Sequence, residues 1–188
     1  MSGGQRVDYS IDSKWHLNWK KLNVHVNDCG ANCFSMLGYS NLYTSNEIAR
    51  RTRNGISLSE IINMLDDAYG DGHEWLDIMA LYTKLPIHQA TIAYMAHTGE
   101  PMGHFFIIVR IDKSTFIAID AQQYTQMPLH EYYKEFNYPD VTIFMTSPTV
   151  LTQYNRVTMA IINKYLPKVR KSRSQLTKKI QWLVKSDV

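Results

Sequence analysis

The 188-residue sequence predicts an α+β domain, with helices first and an antiparallel sheet after them. Two observations carry that expectation. Apolar residues recur at helical spacing between Cys29 and Tyr69. Beyond Pro86 the character changes, and Phe105-Phe106-Ile107-Ile108-Val109 reads as a strand buried on both faces.

The first helix is expected to start at Cys29, bury Cys33, Phe34, Met36 and Leu37, and stop at Gly38. A short capped helix is expected over Ser45 to Arg51, then a turn at Asn54-Gly55. Ser57 and Glu60 form a capping box, each side chain satisfying a backbone donor of the other, and open a helix that ends near Tyr69-Gly70. Its apolar face is Leu58, Ile61, Ile62 and Leu65. Trp75 to Leu81 reads as a helix or the lead-in to a strand, and Ile87 to Met95 alternates loosely. Asp112-Lys113-Ser114 turns the chain between the buried run and a returning strand, Phe116 to Ile119. A helix over Leu129 to Phe136 and a strand over Val141 to Met145 complete the sheet region.

Charge is unevenly spread. From Leu151 onward there are nine Lys or Arg against one acid, so the totals of 20 and 17 leave 11 basic and 16 acidic residues in 1–150. A body of −5 therefore carries a tail of +8. The organisation expected is an arm at 1–21 with Trp15 and Trp19 packing on the body, a domain at 22–150, and a basic helical extension at 151–188. The extension reads either as a solvated cover or as a docking arm for an anionic partner: nucleic acid, acidic lipid or an acidic protein. The longest apolar run is too short to span a bilayer. No secretory signal opens the chain, and two cysteines four residues apart make no disulfide framework. An intracellular setting, cytoplasm or nucleus, is expected, and a virus particle would also fit.

Three residues could carry chemistry together. Cys29 lies where unpaired amides and the helix dipole favour a thiolate. His104 opens the buried strand, and Asp120 ends the returning strand. If the loop holds three residues, Ile111 pairs with Thr115, and His104 and Asp120 share a face. A two-residue loop would put Ala121 and Gln123 there instead. Should Asp120 fall on the other face, Gln122 is the alternate holder of the imidazole. Cys33 is the alternate nucleophile, with Asn27 six residues before it as oxyanion donor. Cys33 lies a full turn inside the helix, where amides are already bonded and little stabilises a thiolate. Gly30 is expected to leave room for a substrate beside Cys29. The remaining histidines (His16, His25, His73, His88, His97 and His130) show no metal-ligand spacing, and Gly70-Asp71-Gly72 lacks the context of a phosphate loop, so no metal or cofactor is expected.

Asp28-Cys29-Gly30-Ala31-Asn32-Cys33-Phe34 resembles the start of the bacteriocin-processing peptidases, a papain-like family with a nucleophile between Asp and Gly and a second cysteine four residues on. Gly103-His104-Phe105-Phe106 is similar to their His-containing strand. Asp120-Ala121-Gln122 also resembles papain-like toxin deamidases and virus-encoded papain-like proteins. The resemblance spans roughly residues 22–125. It implies a papain-like fold and a cysteine hydrolase cutting an amide bond, as a protease or as an isopeptidase removing ubiquitin-like modifiers. Glutamine deamidation by the same triad and a non-catalytic papain-like structural or docking protein are the alternatives. The papain group has a glutamine six residues before the nucleophile as oxyanion donor. Here Asn23 occupies that position, one methylene shorter, with His25 and Asn27 as nearby substitutes.

Overall fold

The computed structural model describes residues 27–123, 125–146 and 156–168. The N-terminal arm, Asn23, His25 and the tail beyond Lys168 lie outside the described residues.

The first helix, α1 (Cys29–Met36), is buried along all eight residues, so it runs through the core. It ends where Gly38 takes φ +73, a left-handed position that a Cβ disfavours. There the Tyr39 amide donates to the Phe34 carbonyl at 2.9 Å and the Gly38 amide to the Ser35 carbonyl at 3.2 Å, which closes the last turn. The second helix, α2 (Leu42–Arg51), begins earlier than the sequence suggests. Asn41 is its cap, its Oδ1 accepting from the Thr44 amide at 2.8 Å, while Ser45 is buried with its hydroxyl on that of Ser40. The expected capping box opens α3 (Leu58–Tyr69): the Ser57 amide donates to Glu60 Oε2 at 2.8 Å and the Glu60 amide to Ser57 Oγ at 3.2 Å. Its fully buried residues are Ile61, Met64 and Leu65, whereas Leu58 and Ile62 are only partly covered.

Trp75 to Leu81 resolves into a short strand, β1 (Glu74–Asp77), a 3₁₀ turn at Ile78–Ala80 and a one-turn helix, α4 (Leu81–Lys84). The remaining strands are β2 (Ala90–Ala96), β3 (His104–Arg110), β4 (Phe116–Asp120), β5 (Thr125–Pro128) and β6 (Val141–Thr146), with α5 (Leu129–Glu135) between the last two. The sheet has the order β1-β6-β2-β3-β4-β5, and every described pairing is antiparallel. The fold class is therefore α+β. Strand β5 is absent from the sequence reading because Thr125-Gln126-Met127-Pro128 carries no apolar alternation. Pro128 is tolerated because β5 is the sheet's edge.

Burial of β3 on both faces follows the apolar run. Phe105, Ile107 and Val109 pack with α1 and α3, and Phe106 and Ile108 pack with Tyr132 and Leu129 of α5. The last described helix, α6 (Met159–Tyr165), belongs to the first of these cores. Val157, Ile162 and Leu166 are buried there, the Val157 amide donates to the Tyr39 carbonyl at 2.8 Å, and Lys164 pairs with Asp67 at 2.8 Å. The core thus extends past residue 150. Among the described residues no helix is long and apolar enough to cross a membrane.

Because Ile162 is completely buried, Ile162→Ala should cost about 2–5 kcal/mol in a urea unfolding curve monitored by tryptophan fluorescence. A change below about 0.5 kcal/mol would mean that α6 is a detachable cover.

Candidate active site

The site forms where the start of α1 meets one end of the sheet. Cys29 is the first residue of α1, and it is 9% exposed. Asp28, before it, is buried and does not cap the helix. Its Oδ1 accepts instead from Asn32 Nδ2 at 2.9 Å, so its charge is held one turn along its own helix.

The β3–β4 hairpin decides the parity question. Ile107 pairs with Ile119 and Arg110 with Phe116, and the Ile111 amide donates to the Thr115 carbonyl at 2.9 Å. The loop is therefore the three residues 112–114, fixed by Asp112 Oδ1 accepting from the Ser114 and Thr115 amides, both at 2.8 Å. With that count His104 and Asp120 share a face, and His104 Nε2 meets Asp120 Oδ2 at 2.6 Å. The Cys29 thiol also lies near enough to the His104 ring to act on its charge. Since Asp120 engages Nε2, Nδ1 is the nitrogen left for the thiol.

Asp120 is 1% exposed, and its carboxylate is fully answered. Oδ2 accepts from His104 and from the Tyr132 hydroxyl at 2.7 Å, and Oδ1 accepts from the Gln122 amide at 2.9 Å and the Gln123 amide at 3.1 Å. The imidazole lies parallel to Phe136, with ring centres 5.9 Å apart. Tyr132 and Phe136 escaped the sequence reading of the site. Leu129, Tyr132, Tyr133 and Phe136 have ordinary helical core spacing, and nothing in that spacing says where a hydroxyl is aimed.

These contacts set the charges. Burial alone would lower the His104 pKa, but the bonds to Asp120 and Cys29 and their charges outweigh it and push it up to about 10. Burial would raise that of Asp120, yet the His104 and Tyr132 bonds hold it below the usual carboxylate value. Cys33 is different. Burial, with the nearby Cys29 and Asp120, pushes its thiol well up, which favours the protonated form. The Tyr132 hydroxyl is likewise pushed up, by burial and by Asp120, and remains a donor.

A cleft of about 560 Å³ opens on Cys29 and His104. Asn27, Ile56, Leu58, Tyr94, Met102 and Gln122 contribute to its walls, and among the described residues His104 is the sole ionisable group there apart from the Cys29 thiol and the Tyr94 phenol. Gln122 thus serves Asp120 through its backbone and lines the cleft, while Asp120 itself holds the imidazole. Asn27 also lines it, with its Nδ2 donating to the Arg53 carbonyl at 3.1 Å. Two glycines matter. A Cβ on Gly103 would lie 2.2 Å from Tyr94 Cζ, so the residue before His104 must be glycine for β3 to enter here. The expectation that Gly30 leaves room for a substrate is corrected: it is buried, and a Cβ there would come 2.4 Å from Ile56 Cγ2. Close packing, rather than access, requires that glycine.

The pair gives stability a defined pH window. His104 binds its proton more tightly when folded, so its contribution is complete below its ordinary value of 6.5 and is lost as pH rises through about 10. Asp120 contributes above its ordinary value of 3.8 and loses that contribution as pH falls through its lowered folded value. Asp120→Asn should bring the imidazole titration down from about 10 to 6.5 or below, read from the His104 ring shifts by NMR against pH. An unchanged titration would show that Asp120 does not govern this histidine.

Among known proteins, no family model matches the chain and no curated sequence does. The reading of the site rests on its own geometry.

Proposed function

We propose that the protein is a papain-like cysteine hydrolase acting on an amide bond, with Cys29 as nucleophile, His104 as acid and base, and Asp120 as the orienting carboxylate. The observation that carries this reading is the partly buried His104, bonded to Asp120 at 2.6 Å, with the Cys29 thiol at the start of a helix near enough to act on the same ring. The raised imidazole pKa makes His104 a group able to take a proton and hand it to a leaving amine.

In the first half of the reaction the Cys29 thiolate attacks the carbonyl carbon. The carbonyl oxygen takes up the displaced electron pair as an oxyanion. The Cys29 backbone amide is one donor to it, and the sequence position of Asn23, which lies outside the described residues, makes that residue the expected second. Asn27 lines the cleft too, with one hydrogen of its Nδ2 given to the Arg53 carbonyl and a second left to donate. As the tetrahedral species collapses, the carbon–nitrogen bond breaks and the leaving amine takes the proton from His104. A thioester remains. His104, now neutral, takes a proton from water, the hydroxyl attacks the thioester, and the acid leaves as the thiolate is restored. A main-chain peptide, an isopeptide of a ubiquitin-like modifier and a glutamine side-chain amide all fit this sequence of steps. The first two are preferred, since the walls of the cleft offer apolar and neutral polar surface to a length of polypeptide.

One observation favours a second reading. Cys29 is only 9% exposed, as suits a scaffold whose thiol belongs to the core. Reactivity decides between them. Under limiting iodoacetamide at pH 7, intact mass and peptide mapping should place one label on Cys29. Cys33→Ser should leave that rate unchanged, Cys29→Ser should abolish it, and His104→Ala should slow it about 10²–10⁴-fold. Labelling of Cys33 would transfer the nucleophile, and with it the oxyanion role, to Cys33 and Asn27. If neither thiol outpaces free cysteine, the scaffold reading stands.

A further inference from the structure

A second groove, of about 350 Å³, adjoins the cleft, and Asn54 and Gly55 line both. Its walls are basic: Arg50, Arg51 and Arg53 line it, with Pro167 from the chain after α6. Arg50 and Arg51 stand in the last turn of α2, where cations offset the helix dipole. That accounts for their position, but not for Arg53, which lies beyond the helix and is exposed. Nor does it account for the state of Arg51. Its side chain is only 7% exposed and its Nε donates to Glu47 Oε1 at 2.8 Å, yet among the described residues its buried Nη1 has no hydrogen-bond partner. A guanidinium nitrogen out of water without an acceptor is costly, so an acceptor here would be gained at little further desolvation. The nearby acids do not fill the need. Glu47 is divided between Arg51 and Arg50, the latter at 3.5 Å, and Glu60 holds the Ser57 amide and hydroxyl with its Oε2.

We propose that this groove is a carboxylate-binding subsite, which receives an acidic residue of the polypeptide seated in the cleft. Guanidinium forks suit planar carboxylates and phosphates alike. Two observations favour a carboxylate on a peptide. Continuity with the cleft through Asn54 and Gly55 lets one extended chain occupy both. Residues 1–150 carry −5, which repels a long polyanion but leaves room for one or two acidic side chains at a local basic spot. The proposal deepens the hydrolase reading by giving its substrate a preferred charge next to the neutral walls of the cleft.

The test measures binding, so it does not need turnover. Fluorescein-tagged pentaglutamate and its pentaglutamine twin are titrated with the full chain and followed by anisotropy. Pentaglutamate should bind at least about tenfold more tightly at 50 mM salt, and the advantage should shrink towards 200 mM. Arg53→Ala should remove most of that preference while leaving iodoacetamide labelling of Cys29 unchanged. Arg53 is exposed, so this variant keeps the test valid even if Arg51→Met fails to fold. Equal binding of the two peptides, or a preference untouched by Arg53→Ala, would overturn the subsite. A tagged 20-nucleotide single-stranded DNA that outcompetes pentaglutamate in an Arg53-dependent way would also overturn it, in favour of a phosphate-chain site. Failure of Cys29 to label, with the peptide preference intact, would instead remove the hydrolase reading and leave the anion subsite.

Discussion

A carboxylate taken out of water must be met by donors, and Asp120 is met by four from three separate parts of the chain. The imidazole comes from the start of β3, the phenol from α5, and two amides from the turn that follows β4. Losing any one of them leaves part of a buried charge unanswered, so each of these elements is held to the position of the others. The consequences spread outward. The turn after Asp120 sends the chain into β5, and α5 must lie on the Phe106 face for Tyr132 to reach the carboxylate. His104, anchored at Nε2 and parallel to Phe136, has one ring nitrogen left, on the side where α1 begins.

Much of this was legible in the chain itself, and the limits have physical causes. The capping box of Ser57 and Glu60 and the glycine stop of α1 are local devices, so reading a few residues suffices to find them. The relation between His104 and Asp120 is also local once the loop is counted, because strand parity converts a loop length into a shared face. Asn41 shows where local reading fails: several polar residues near one helix start could cap it, and burial of Ser45 decides among them. Tyr132 fails differently. Its ring is spaced as a core residue should be, and its hydroxyl acquires a role only through a neighbour twelve residues away in sequence. Strand β5 exists because β4 leaves an edge to pair with, not because its own residues favour extension.

The two cysteines illustrate how position along a helix separates reactivity from packing. Both are buried, and they are one turn apart. Cys33 is out of water with Cys29 and Asp120 near it, which disfavours a charge on its sulfur. Cys29 faces a histidine that can take a proton and an open cleft. The contrast extends to the surface. Among the described residues the cleft carries no charged group apart from His104 and the Cys29 thiol, and its neighbour is a basic groove on a body that is acidic in sum. A polypeptide crossing both would meet apolar contact first and charge second.

The place of β6 in the sheet has a kinetic meaning. Among the described residues β1 pairs with β6 alone, Glu74 opposite Thr146, while the β2–β3, β3–β4 and β4–β5 pairs join neighbours close in sequence. During synthesis the four-stranded part can therefore assemble as successive hairpins, but the edge of β2 stays open and β1 stays unpaired until the segment at Val141–Thr146 emerges. Val157 then closes on the carbonyl of Tyr39, from the other end of the domain. Late arrival of β6, which joins β1 to the rest of the sheet, leaves a nascent chain with an exposed sheet edge, which is the kind of intermediate that chaperones shield and that pairs with its own kind when they do not.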